Sequence, residues 1–305
     1  MVLGKLLSIY APLVGWISLG VLCGRLLPPA TPGWLGKFLF WVGVPIGIFG
    51  FLRGAEITWD LWLAPTIAWL AIALGLGLGR TWLWYRQPAW SPQTQTSFLL
   101  TTMVGNTGYI GFPVSLILVG PQYFAWAIFY DLLGSTPGAY GLGVAIAAHT
   151  QRNNTQWWQP LKPILINPAF WSFGLGLACR SVPFPAPLEL GLKAIAWMMV
   201  SISLLLVGMR LSRLSSWQGV KPALLSLSIK MLLVPFGLGL GLWALGITGT
   251  VHRALLLQMA MPPAFATLVI SEAYDLDPEL AVTTIAIGCL NLLITLPLWL
   301  WLFSG

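Results

Sequence analysis

Two short segments of the chain combine residues that interrupt helices with side chains that can bind a solute. The first, residues 105–113, reads GNTGYIGFP. Glycine and proline both disfavour a helix interior, proline by about 3 kcal/mol. Helix ends beside such a break present backbone N–H groups that suit an anion, and the amide of Asn106 adds donors and acceptors. A kinked structural helix is the alternative interpretation.

The second segment, residues 258–264, reads QMAMPPA. Pro262 and Pro263 remove two adjacent backbone donors, and Pro262 lies 156 residues after Asn106. Breaks at corresponding positions of two repeats indicate the binding site of a transporter, close to the middle of the membrane. We therefore predict that the substrate-binding residues come mainly from these segments: Asn106, Thr107, Gly108, Tyr109, Pro113, Gln258, Pro262, Pro263 and Asn291.

Three further polar residues lie inside apolar runs, where polar groups are costly and are functional candidates. Asp131 is a candidate for ion coupling, with a structural pair or a water-filled vestibule as the alternative. Lys230 is a second candidate, which could pair with Asp131, attract an anion, or extend its long side chain to the membrane interface. Asn291 either joins helices by hydrogen bonding or, if it faces the breaks, contributes to the site.

The elements that position these residues are transmembrane helices. Hydrophobic residues make up 57% of the 305 residues and charged residues only 8%, and the mean hydropathy is +0.83. A soluble domain carries about 25% charged residues. The sequence predicts an all-α integral membrane protein with about ten spans: 6–24, 34–52, 60–79, 94–118, 121–148, 162–179, 189–208, 220–243, 252–272 and 278–303. The fifth predicted span contains a Gly/Pro interruption at residues 134–138.

The two halves of the chain resemble each other. Positions 12–41 and 168–197 share eight identities in thirty, among them Pro12/Pro168 and Cys23/Cys179. We interpret residues 1–148 as a first five-helix repeat, residues 149–161 as a short cytoplasmic linker and residues 162–305 as a second repeat. Because five is odd, the repeats are inverted across the membrane, and the broken helices 4 and 9 are expected to meet at its centre.

Loop charges predict the orientation, since cytoplasmic loops are enriched in lysine and arginine. One side holds nine basic residues: Arg25, Lys37, Arg80, Arg86, Arg152, Lys162, Arg210, Arg213 and Lys221. The other side holds five: Lys5, Arg53, Arg180, Lys193 and Arg253. This difference places the central loop in the cytoplasm and both termini outside the cell membrane. The net charge of +7 follows the same pattern and does not indicate nucleic-acid binding.

The segment GNTGYIGFP, the proline-containing QMAMPPA, Asn167-Pro168 and Pro297 resemble the auxin efflux carrier family over essentially the whole chain. That family includes plant auxin exporters and bacterial permeases for malate and similar acids, and it is grouped with the bile-acid/sodium symporter fold. The chain differs from plant members in its short central loop. The resemblance leaves the substrate open between an auxin-like and a dicarboxylic acid.

The resemblance also implies a mechanism. Helices 1, 2, 6 and 7 would form a scaffold, and helices 3–5 and 8–10 would form a transport unit that slides as an elevator. Asn106 would contact the substrate, while Pro113 and the Pro262-Pro263 pair would shape the crossing. A homodimer through the scaffold helices is a further implication.

Other functional classes fit the sequence less well. It contains no Walker, HExxH or GxSxG motif and no metal-ligand spacing, so we expect no enzyme activity, no metal and no cofactor. The glycine runs at 75–79 and 237–241 lack the context of a nucleotide site and favour close helix packing. The alternatives left open are a sodium- or proton-coupled carrier like the bile-acid symporters, and an intramembrane receptor or enzyme.

Overall fold

The computed structural model describes residues 2–151, 166–212 and 219–303. Over these ranges the chain is helical and contains no β-strand beyond one isolated bridge. The parts of the predicted linker and of the sixth span at 152–165 lie outside the described residues. The α-helices are α1 (Val2–Leu26), α2 (Thr31–Phe38), α3 (Val44–Leu52), α4 (Leu63–Arg86), α5 (Pro92–Met103), α6 (Phe112–Leu118), α7 (Phe124–Tyr130), α8 (Val144–Thr150), α9 (Pro168–Ala178), α10 (Ala186–Leu211), α11 (Val220–Leu227), α12 (Val234–Ala244), α13 (Gly249–Met259), α14 (Phe265–Ala273) and α15 (Pro278–Leu302).

Five helical segments within the described ranges are long and apolar enough to cross a membrane, some of them joining two α-helices through a wider turn. They are Thr31–Leu52, Trp59–Arg86, Ala186–Leu211, Val220–Ala244 and Pro278–Leu302. Each coincides with a predicted span to within a few residues at most ends, because a long apolar run bounded by charges or prolines is the strongest sequence signal for a helix of this kind.

The predicted interruption at residues 134–138 is wrong. The chain stays helical there and widens into π-helical turns at Asp131–Ser135 and Gly138–Gly143. A wider turn accommodates a residue that lacks a backbone donor, so a proline inside a helix need not end it.

The described chain divides into two compact units. The first comprises Met1–Thr58, Gly108–Ile128 and Asn167–Leu214. Within it, α1 and α10 pack closely through glycines. A Cβ atom built on Gly20 would lie 2.2 Å from the carbonyl oxygen of Leu205, and one on Gly208 would lie 2.0 Å from that of Ile17. Only residues without a side chain allow backbones to approach in this way.

Arg53 joins the end of α9 to the start of α10 within the first unit. Its guanidinium donates hydrogen bonds to the carbonyl oxygens of Cys179 and, at 2.8 Å, Val182. It also forms an ion pair with Glu189 at 3.3 Å and lies 3.7 Å from the ring centre of Phe184. The last carbonyls of a helix lack partners within it, so this arginine completes the end of α9.

The second unit comprises Trp59–Thr107, Phe129–Ile166 and Ser215–Gly305. Here α4 packs on α5 where Gly75 approaches the carbonyl of Thr102, and a Cβ on Gly75 would lie 2.2 Å from that oxygen. Gly79, one turn later, also packs closely, whereas Gly77 faces open space. The predicted role of this glycine run in packing is therefore confirmed for two of its three residues, those that share a helix face.

Capping side chains tie helix starts together in the second unit. Ser91 Oγ accepts a hydrogen bond from the backbone N–H of Thr94 at 3.1 Å, and Asp277 Oδ1 accepts one from Leu280 at 2.9 Å. These residues cap α5 and α15, as serine and aspartate commonly do. Thr94 Oγ1 donates to Asp277 Oδ2 at 2.8 Å, so the two caps also hold each other.

Candidate functional site

The first helix interruption lies at residues 104–106, between the end of α5 at Met103 and a π-helical turn at Thr107–Gly111. Val104 is extended, with φ −115° and ψ 133°. Gly105 and Asn106 follow, two residue types with low helix propensity. The interruption falls within the span that the sequence predicts to be broken.

The second interruption lies at residues 260–264, between the end of α13 at Met259 and the start of α14 at Phe265. Pro262 and Pro263 cannot donate backbone hydrogen bonds and clash with a continuing helix. The helix ends before them, and Ala264 is extended, with φ −69° and ψ 145°. The α5 and α13 helices thus end 156 residues apart.

The two interruptions pair with each other through their backbones. Asn106 N–H donates to the Pro262 carbonyl at 2.7 Å, and Ala264 N–H donates to the Val104 carbonyl at 3.1 Å. Gly105 and Pro263 form an antiparallel bridge between these bonds. Buried backbone groups need partners, and the pairing supplies them where neither helix can. We call residues 104–106 and 260–264 the paired interruptions.

Helix α15 passes close to the prolines because Gly288 has no side chain. A Cβ atom built on Gly288 would lie 2.9 Å from Pro262 Cβ, 3.1 Å from Pro263 Cδ and 2.9 Å from Leu227 Cδ2. The contact fixes the second interruption from behind. Sequence reasoning missed Gly288, since a glycine in an apolar span carries no signal of which segment it contacts.

Asp131 lies beside the first interruption. Its side chain is only 9% exposed, Thr107 Oγ1 donates to its Oδ1 atom, and Thr136 Oγ1 donates to its Oδ2 atom at 3.4 Å. Sequence reasoning missed Thr136 because the spacing of five residues matches a π-helical turn and not the three- or four-residue spacing of an α-helix. The cluster of carboxylate and hydroxyl oxygens can hold a proton or a hard cation.

Lys230 lies at the second interruption. It is 1% exposed, and its Nζ donates to the carbonyl of Met259, the last residue of α13, at 3.0 Å. The interpretation that Lys230 reaches the membrane interface is therefore wrong. Among the described residues, Arg53–Glu189 is the ion pair within 4.0 Å, so Lys230 does not pair with Asp131 either. Its hydrogen-bond partner is a helix end, which carries partial negative charge.

The other predicted site residues are distributed unevenly. Gln258 is buried directly before the end of α13, and Asn291 is partly exposed on α15. Gly108, Tyr109 and Pro113 belong to the first unit. There Gly108 and Pro113 line a small apolar cavity, and the ring of Tyr109 lies 6.0 Å from the guanidinium of Arg210. The structure thus brings together Asn106, Thr107, Pro262 and Pro263 directly, with Asp131 and Lys230 bound to either side.

Known proteins resemble this chain over most of its length. Residues 155–300 match the model of a family described as membrane transport protein. An uncharacterized transporter of Methanothermobacter thermautotrophicus is 25% identical over 273 residues, which cover 87% of each chain. An uncharacterized transporter of Methanocaldococcus jannaschii is 26% identical over 213 residues, which cover 67% of each chain. Both relatives carry the name of transporters, and the family model covers the second interruption and Lys230.

Proposed function

Because the chain is a multi-pass membrane transporter of the auxin efflux carrier family, we propose that it is a secondary transporter that carries a small organic anion by elevator-type alternating access. The family membership confirms the resemblance that GNTGYIGFP indicates. The paired interruptions carry the proposal: Asn106 and the prolines meet in one buried place, although they are 156 residues apart in sequence.

An inverted repeat of ten spans is the architecture that we propose. Helix ends recur at the same offset: α5 and α13 end at Met103 and Met259, and the helical segments Thr31–Leu52 and Ala186–Leu211 differ from it by only a few residues. Corresponding segments of an inverted repeat run in opposite directions. The antiparallel bridge between Gly105 and Pro263 supports that arrangement.

A scaffold and a mobile transport unit are the second part of the proposal. The first compact unit contains the predicted spans 1, 2, 6 and 7, and the second contains most of spans 3–5 and 8–10. The segment Gly108–Ile128 is grouped with the first unit, which differs from the expected division. The separate packing of the two units supports a division of labour between them, as an elevator requires.

A small organic anion is the proposed substrate, such as an auxin-like or dicarboxylic acid. Helical turns begin directly after each interruption, at Thr107 and Phe265. Their N-terminal N–H groups carry partial positive charge, and the Asn106 amide adds a neutral hydrogen-bonding group. Together these groups match a carboxylate better than a cation or a neutral sugar.

The protein is proposed to lie in the cell membrane with its central loop in the cytoplasm and both termini outside, as the nine-to-five distribution of basic residues predicts. A homodimer through the scaffold helices is the proposed assembly. A sodium- or proton-coupled carrier remains the second candidate, favoured by the oxygen cluster of Asp131, Thr107 and Thr136.

Uptake by the purified protein in liposomes tests the substrate and the coupling. Labelled malate and indole-3-acetate are offered separately, with and without an imposed proton gradient. We expect saturable uptake of at least one acid, competed by the unlabelled acid and absent from protein-free liposomes. Uptake of cations or neutral sugars alone would show that the anion proposal is wrong.

A further inference from the structure

Lys230 brings a buried positive charge to the point where two helices end. Its Nζ donates at 3.0 Å to Met259, the last residue of α13. Its stem lies against Gly105, two residues after the end of α5: a Cβ atom on Gly105 would lie 3.1 Å from Lys230 Cε and 3.3 Å from its Nζ. The ammonium group therefore sits within reach of both helix ends and of the backbone bridge.

Helix C-termini are sites for cations. The last carbonyl groups lack partners within the helix and together carry about half a negative charge. In broken-helix transporters, such carbonyls and unwound backbone coordinate sodium. Here the Met259 carbonyl already receives an N–H donor from Lys230, so the group that would bind a mobile cation is occupied by a covalently attached one.

The charges near Lys230 fit this role. Asp131 receives its hydrogen bonds from Thr107 and Thr136, on the other side of the bridge. No carboxylate lies within 4.0 Å of Lys230 among the residues that the structure describes. The lysine is consequently matched by the carbonyl of a helix end and not neutralised by an acidic side chain.

We infer that Lys230 is a tethered cation that replaces a mobile sodium ion at the paired interruptions, so that transport does not depend on sodium there. The inference rests on the proposed transport function and deepens it, because it identifies which charge of the site is fixed in the chain. Coupling to an ion, where it occurs, is left to Asp131.

Chemical rescue tests the role of the charge. Liposomes with wild-type protein, Lys230→Ala or the exposed control Lys221→Ala are assayed for uptake of the same labelled acid in sodium and in choline buffer. We expect wild type and the control to work equally in both buffers. Lys230→Ala should lose about tenfold in rate in choline, equivalent to one hydrogen bond to a charged group, and should regain part of it with added ethylammonium or sodium.

Two results would overturn the inference. The first is a wild-type protein that needs sodium, which requires no variant to observe. The second is a Lys230→Ala protein that either transports normally in choline or loses transport without any recovery by ethylammonium or sodium, since the latter would indicate a purely structural residue.

Thermal unfolding in detergent separates this inference from the proposed function. Sodium should raise the melting temperature of Lys230→Met by about 2–4 °C over choline, as a ligand that binds the native state near ten times its dissociation constant does. Wild type should show no difference between the salts. Such a pattern would support the tethered cation even if none of the offered acids were transported, whereas sodium stabilisation of the wild type would contradict it.

Discussion

The interruption at residues 104–106 and the one at residues 260–264 share a backbone bridge, yet they are built from different residues. The first contains Gly105 and Asn106, and its amide side chain can bind a solute. The second contains Pro262 and Pro263, which end the helix but offer no side-chain donor or acceptor. The comparison separates two tasks, recognition on one strand of the bridge and enforcement of the break on the other.

The neighbouring charges differ as well. An acid, Asp131, attaches to the first interruption through Thr107, and a base, Lys230, attaches to the second through the Met259 carbonyl. Ionisable groups inside a membrane are costly unless their surroundings compensate for them. Each half therefore contributes one buried charge of opposite sign, and the bridge keeps the two charges from forming an ion pair.

Removal of the amide at the first interruption should have the largest effect. In Asn106→Ala we expect the transport rate to fall about a hundredfold, the scale on which a displaced or missing positioning group acts. The backbone bond from Asn106 to Pro262 does not need the side chain, so the melting temperature in detergent should stay near that of wild type. If the variant instead fails to fold, the structural interpretation of the amide is favoured.

Removal of the prolines at the second interruption should have the next largest effect. Alanine restores a backbone donor and favours a helix by about 3 kcal/mol relative to proline. The double variant Pro262→Ala/Pro263→Ala should therefore extend α13 into the bridge and slow transport about tenfold. Pro297→Ala, within α15, is the matched control and should transport normally. Equal loss in the control would assign the effect to helix packing in general.

Neutralisation of Asp131 should change the coupling more than the rate. In Asp131→Asn, uptake should become insensitive to an imposed proton or sodium gradient, because the group that can carry the ion is lost. Thr136→Val removes one hydroxyl donor while keeping the carboxylate, and it should retain the gradient response. A gradient response that persists in Asp131→Asn would place the coupling ion elsewhere.

Small side chains added on the two sides of the bridge should have the smallest effects. Gly288→Ala presses on rigid prolines and should lower the free energy of unfolding by about 1–3 kcal/mol. Gly105→Ala presses partly on the flexible Lys230 stem and should cost less. Gly77→Ala meets nothing within 4 Å and serves as the control. Unfolding in detergent measures all three, and an equal cost for both bridge variants would contradict the comparison.

Sequence reasoning located both interruptions because glycine, asparagine and adjacent prolines act locally, through backbone propensity. Apolar run length likewise predicts the helical segment Pro278–Leu302 to within one residue. The same reasoning wrongly placed a break at residues 134–138, where wide helical turns accommodate Pro137. Local propensity states the cost of a helix but not whether packing covers it.

The partners of the buried charges could not be predicted for a related reason. Lys230 bonds to a backbone carbonyl 29 residues later, and every residue offers such a carbonyl, so no residue type marks it. Thr136 was hidden by a helical spacing that only the folded chain reveals. Composition identifies a costly group, whereas its compensation depends on three-dimensional contacts.

The glycine contact between α1 and α10 has a consequence for the birth of the protein. Gly20 and Gly208, whose backbones touch, are separated by 188 residues of chain. At about 5–20 residues per second, the ribosome makes the second helix roughly 10–40 s after the first. During that interval α1 waits in the membrane with its glycine face uncovered. A nascent chain arrested before residue 186 should therefore expose this face to crosslinking by lipids or insertion factors.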